Sequence, residues 1–342
     1  MTNANSSWIH RHTRLLVILA YAVFLVAVGV EGFLLYQQRM VNKAIQSQSG
    51  KLLTTFLKGD TAQVPRTPGV LVRLQNVRFK WSEKVFVDAD NMGVRAVPVQ
   101  GSAVDFDDLS SFLLSLQQSS VLIRPSVLEG MLNESVFNYP DSKMRDLKVE
   151  LTDYQGGHAI KMTGKVNVVV WFPFSLVAEL SIDHQTNTLV MDVHKLRIFG
   201  FIHASKLIKL HPFHLDQLIT LPPNGSLMIA GNRFMVKPFG LFPPPRITGT
   251  LADVKVNEVG IVLTFSGKPI PAPESTAKNY VYLRGGTAQF GHFCMVDTDV
   301  LILDRNPTNY FSFSLAHYAD LIPKSRIDVH DTRSVRVLMP DS

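Results

Sequence analysis

Several groups of residues in this 342-residue chain carry the types and spacings that chemistry uses. Ser275-Thr-Ala-Lys278 has the S-x-x-K spacing, which makes a serine nucleophile when both side chains share one helical turn inside a pocket. His203, His211 and His214 lie close together, and His211-Pro-Phe-His214 resembles a metal-binding pair. Asp88-Ala-Asp90-Asn91-Met92-Gly93 opens like a calcium loop. Asp297, Asp299 and Asp304 cluster near the carboxyl end, where Asp297 and Asp299 are placed to share a strand face. Cys294 is the single thiol.

Each group depends on an element to position it, and the surrounding residues deny that element. The S-x-x-K pair falls within Gly267–Lys278 (GKPIPAPESTAK), a Pro-rich stretch that cannot form the helix. Pro212 breaks any helix holding the histidine pair, and no carboxylate follows at zincin spacing. The calcium pattern places Met92 at its fifth position and Val99 at its twelfth, where a bidentate Glu is required, so a polar β-turn is the plainer reading. The late aspartates read as a solvated strand face. Cys294 sits between Phe293 and Met295, which predicts a buried structural thiol, and a single cysteine excludes an intrachain disulfide. No G-x-S-x-G elbow, Walker A loop or G-x-G-x-x-G fingerprint is present. No catalytic residue, metal ligand or cofactor is therefore assigned, although a triad can assemble from distant positions.

The elements themselves say more. Leu15 to Tyr36 is one apolar run, and roughly 20 such residues cross a hydrocarbon layer as a helix. It reads as an uncleaved signal anchor, with residues 1–14 as a short cytoplasmic arm and the bulk of the chain extracytoplasmic, periplasmic or at the cell surface. Glu31 lies inside the run and offers a contact to a membrane protein partner. Residues 37–66 read as a stalk and linker, 67–266 as a β-rich domain, 267–279 as a Pro-rich linker and 280–342 as a C-terminal β-module. The net charge of +6 is spread along the chain, which suits an anionic lipid surface and lacks the basic clusters that nucleic acid requires.

Within the β-rich domain, Val70, Val72 and Leu74 alternate with Arg73 and Gln75, and Val77, Phe79 and Trp81 continue after a one-residue shift, as at a bulge. Leu109, Phe112, Leu113 and Leu116 have helical spacing. Ser126-Val-Leu-Glu129 is a capping-box pattern that opens a second amphipathic helix, which ends near Asn138. Long alternating strands follow at 158–171 and 174–183, with Asp183 to Thr188 as a hairpin turn and a third strand from Leu189 to Ile198. A kinked helix is expected at about 205–219, then strands at 226–230, 234–236, 247–256 and 259–265.

Three marks in residues 119–266 carry a resemblance: Ser126–Leu132 (SVLEGML), Trp171-Phe-Pro-Phe174, and Gly249–Gly260 (GTLADVKVNEVG). They resemble the LmeA-like family of bacterial envelope proteins, within the wider tubular lipid-binding (TULIP-like) fold. The chain departs from that pattern in lacking a lipobox cysteine and in adding residues 280–339. The resemblance implies phospholipid binding at the envelope. The expected fold class is α+β and β-rich: an N-terminal transmembrane helix, then a long curved antiparallel sheet wrapped on amphipathic helices, plus the C-terminal β-module. Such a sheet leaves an apolar slot for acyl chains unless side chains fill it as a solid core. The expected lining is Leu128, Met131, Leu132, Val168, Val170, Leu176, Leu180, Ile261 and Leu263. Phe239, Leu241 and Phe242 are the expected membrane-contacting rim, or else a buried loop. The function this implies is a membrane-anchored lipid-binding protein whose partners are phospholipid and the bilayer. The alternatives are an envelope phospholipase on the same fold, or an assembly protein with a solid core.

Overall fold

The computed structural model describes residues 69–140, 142–167, 170–198, 226–242, 244–330 and 334–340. The apolar run at 15–36, the stalk and the helix expected at about 205–219 lie outside the described residues. Among those described, no helix is long and apolar enough to cross a membrane.

The chain runs β1 (Val70–Lys80), β2 (Phe86–Pro98), β3 (Ala103–Asp105), β4 (Phe112–Ile123), α1 (Pro125–Met131), a π-helical turn (Leu132–Val136), β5 (Met144–Tyr154), β6 (Gly157–Asn167), β7 (Trp171–Asp183) and β8 (Thr188–Ile198). It continues β9 (Leu227–Ala230), β10 (Arg233–Val236), a 3-10 turn (Pro238–Leu241), β11 (Arg246–Thr248), β12 (Thr250–Val256) and β13 (Ile261–Ser266). The last stretch holds β14 (Tyr280–Arg284), β15 (Thr287–Phe290), β16 (Phe293–Val296), β17 (Asp299–Asp304), β18 (Phe311–Phe313), α2 (Tyr318–Leu321), β19 (Arg326–Val329) and β20 (Val335–Met339). These strands make an 11-stranded sheet, ordered β12-β13-β4-β2-β1-β14-β17-β20-β19 with β11 on β4 and β18 on β1. A 6-stranded sheet, β5-β6-β7-β8-β10-β9, and a 3-stranded sheet, β16-β15-β3, complete it.

This corrects the expected fold class. The described residues form three sheets, not one sheet wrapped on amphipathic helices, and α1 and α2 are their only α-helices. The helix expected over 109–116 is instead the start of β4, paired with β2 from Pro98↔Phe112 to Asp88↔Leu122. Phe112, Leu113 and Leu114 are all buried, so both faces of the strand are covered. A strand buried on both sides loses its period of two, and its apolar run imitates a helix. The helix at Ser126 does form, but without the capping box: Arg124 is its N-cap, no side chain caps it, and Pro125 opens it. Glu129 Oε2 accepts from the Val149 backbone N–H at 3.4 Å instead.

The shift read in β1 is present but has a different cause. Its pairing with β2 keeps one register throughout, from Leu71↔Arg95 to Phe79↔Val87. Asn76 adopts a left-handed φ of 48°, and the buried face changes from Val72 and Leu74 to Val77 and Phe79 there. At the same place β1 exchanges its partner β14 for β18.

Residues 280–339 are woven into the main sheet, since β14 pairs with β1 and β17 with β14. The Pro-rich segment between β13 and β14 is a strap over the outer face of that sheet. Its Lys268 N–H reaches Gln117, Ile270 packs over Gly93, Arg73 Nη1 donates to the Ile270 carbonyl at 2.5 Å, and Asn76 donates to the Lys278 carbonyl at 3.1 Å.

Within the 6-stranded sheet, β6, β7 and β8 form the meander that alternation predicts. The β7–β8 register breaks once, leaving His194 opposite no residue between Val177↔Lys195 and Ala178↔Val193. Its hairpin tip is hydrogen-bonded to the large sheet by Asn187, which at φ 54° donates to the Gly249 carbonyl at 2.7 Å and accepts from the Leu251 N–H at 2.8 Å. Asn133 does the same for the π-turn, donating to the Leu147 carbonyl and accepting its N–H. One amide replaces a pair of backbone bonds in each case, so neither junction leaves buried main-chain groups unpaired.

Candidate functional site

The inner face of the large sheet encloses an apolar cavity of about 100 Å³. The face switch at Asn76 helps build it, because it lets β1 present Val72 and Leu74 at one end and Phe79 and Trp81 at the other. β2 adds Val87, Met92 and Val94, β4 adds Leu114, Val121 and Ile123, and β14 and β17 add Val281, Leu283 and Ile302. Phe313, Leu315 and Tyr318 close one side, and Pro238, Phe239, Phe242 and Ile247 another. Leu116, Trp81, Phe239, Phe242, Phe290 and Leu315 are the partly exposed members and form its rim. Trp81 holds the rim together, with its ring centroid 4.8 Å from Phe79 and 4.7 Å from Phe242.

No polar atom faces this space. Tyr318 is the one lining residue that titrates, and its hydroxyl is committed to the Asp107 carboxylate. Burial, then that bond, push the Tyr318 pKa upward, so the phenol stays neutral. The Trp81 Nε1–H is buried with no partner. No serine, cysteine, histidine or carboxylate lines the cavity, so the arrangement offers shape and hydrophobic burial and supplies no nucleophile.

The expected groove residues are dispersed. Leu263 lines the cavity, while Ile261, Met131 and Leu176 are buried in solid core and Leu128, Leu132 and Leu180 pack partly exposed against it. Val170 is 57% exposed, and Val168 lies outside the described residues. Of the expected membrane rim, Phe239 and Phe242 line the cavity, and the side chain of Leu241 lies outside the described part. The walls that went unassigned come mostly from β1, β2, β14 and β17. Their alternation is visible in the sequence, but residues 70–98 meet 280–304 only through long-range pairing, which local pattern does not encode.

The other motifs within the described residues resolve as structure, and His203, His211 and His214 lie outside them. Ser275 Oγ accepts from the Ala277 N–H at 3.1 Å within the strap, so it caps a turn. Asp304 is buried, accepting from Asn279 Nδ2 at 2.9 Å and the Asn306 N–H at 2.8 Å. Cys294 is exposed on β16, against the buried thiol expected from its apolar neighbours. Among the described residues no group of three His, Cys, Asp or Glu is placed to hold a metal. Asp88, the first residue of the calcium-like pattern, is buried between Arg78 and Arg124.

Comparison with known proteins finds no matching family model, no similar curated protein and no solved structure of matching fold.

Proposed function

We propose that this protein binds the hydrocarbon tail of a lipid in the cavity of its large sheet, and works beside a bilayer as a lipid-binding protein, not as a hydrolase. The observation that carries this reading is a space walled wholly by aliphatic and aromatic side chains and rimmed by partly exposed aromatics. A dry cavity of about 150 Å³ with such walls takes up benzene. At about 100 Å³ this one takes roughly four methylenes, which gains about 3 kcal/mol. A longer tail continues over the rim at Trp81 and Phe242. The apolar run Leu15–Tyr36 supports work next to a membrane.

The test is lipid uptake by the full-length chain. After incubation with phosphatidylglycerol vesicles and re-isolation, mass spectrometry should find bound phospholipid in the wild type. Val121→Phe, which fills the cavity, should carry several-fold less. Lipid-free protein, or equal loading of the filled variant, contradicts the reading.

A further inference from the structure

A polar cluster lies on the opposite, outer face of the same sheet. Val87 faces the cavity, so its neighbour Asp88 points outward from β2. The Asp88 side chain is fully buried, because two arginines cover it. Arg78, directly across the β1–β2 ladder, donates Nε to Oδ1 at 2.7 Å and Nη2 to Oδ2 at 3.0 Å. Arg124, just past the end of β4, donates Nε to Oδ2 at 2.9 Å. The Arg78 guanidinium also lies 4.4 Å over the Phe86 ring, which fixes its plane.

One carboxylate thus positions two guanidiniums and neutralises only one of them. Their side chains remain 35% and 36% exposed. Among the described residues, Arg78 Nη1 and both Nη atoms of Arg124 have no hydrogen-bond partner. The Tyr310 hydroxyl lies within electrostatic reach of both arginines and donates to Asp90, an exposed carboxylate. Two forks held at fixed orientation, with unused donors turned to solvent, match a tetrahedral oxyanion better than two free surface arginines do.

We infer that Arg78 and Arg124, held by Asp88, form a binding site for a phosphate group, carried by a free phosphate compound or by a phospholipid headgroup. This site is separate from the cavity and stands whether or not the cavity takes lipid. Asp90 is the opposing charge, so it lowers affinity at the site.

The test titrates the full-length chain with inorganic phosphate by calorimetry and measures co-flotation with phosphatidylglycerol against phosphatidylcholine vesicles. Arg124→Gln leaves Asp88 paired with Arg78 and should still fold, which circular dichroism checks. Millimolar phosphate binding that falls at least tenfold in Arg124→Gln and strengthens in Asp90→Asn supports the site. Selective flotation with phosphatidylglycerol that is lost in Arg124→Gln assigns it to a headgroup; phosphate binding without flotation assigns it to a soluble phosphate. No heat up to about 10 mM phosphate together with unchanged flotation, or equal binding by wild type and Arg124→Gln, overturns it and leaves a structural ion triad.

Discussion

The 6-stranded sheet and the 11-stranded sheet are built from the same alternating apolar residues, yet the apolar cavity described above belongs to the larger one and a close-packed buried cluster to the smaller. In the smaller sheet, small residues sit under large ones. A Cβ on Gly164 would lie 2.7 Å from Leu147 Cδ2, 3.0 Å from the Arg145 carbonyl and 3.1 Å from Phe174 Cε1. Phe174, Leu176 and Ala178 of β7 are buried in one cluster with Met144, Leu147 and Met162. In the larger sheet, valines and leucines line a curled face whose edges are propped apart by Trp81, Phe239, Phe242 and Phe290. Rings at the rim keep the walls separate, and medium-sized side chains do not reach across. Alternation marks which residues face inward, and side-chain size at the rim decides whether the inside fills.

The largest expected effect lies outside both interiors, at the ion cluster that holds β1, β2 and β4 in register. Asp88→Asn leaves two partly exposed guanidiniums against a neutral amide and should cost about 2–3 kcal/mol, read from the urea midpoint. The hydrogen bonds and charges of Arg78 and Arg124 outweigh the opposing effect of burial and hold the Asp88 carboxyl below its ordinary value. Its contribution is therefore complete above about pH 4, the unfolded value, and is lost as pH falls through the lower folded value. Stability should decline on acidification in the wild type, and less steeply in Asp88→Asn.

Next come two enlargements that set the sheets against each other. Gly164→Ala in the solid sheet should cost about 1–3 kcal/mol, because backbone and ring atoms must move. Val281→Leu in the cavity wall adds a methylene to empty space and should be neutral or stabilising. Equal costs for the two would erase the distinction between hollow and solid. The smallest effect belongs to the surface pair Lys161–Glu150 at 2.8 Å, where Lys161→Ala should leave the thermal midpoint unchanged within error.

Sequence reading recovers what local pattern controls. The β6–β8 meander, the Asp183–Thr188 turn and the face change in β1 follow from alternation and turn residues. It loses what distant pairing controls. Phe112 to Leu116 reads as a helix because both faces of β4 are buried, and 280–339 reads as a module because nothing local reveals that Val281 and Leu283 join β1. The cavity walls were missed for the same reason: expected groove residues came from α1, the meander and β13, and of the expected site residues only Leu263, Phe239 and Phe242 line the cavity. The strap over Gly93 and Arg73 carries the chain from β13 to β14, and its prolines disguise it as a linker.

Entry of hydrocarbon into the large sheet past Trp81 can be followed by the fluorescence of Trp81 in the full-length Trp8→Phe, Trp171→Phe variant, titrated with a fatty acid brominated near its methyl end. Saturable quenching that Val121→Phe abolishes is the expected result. Quenching that is absent, or that survives in Val121→Phe, would contradict entry into the cavity.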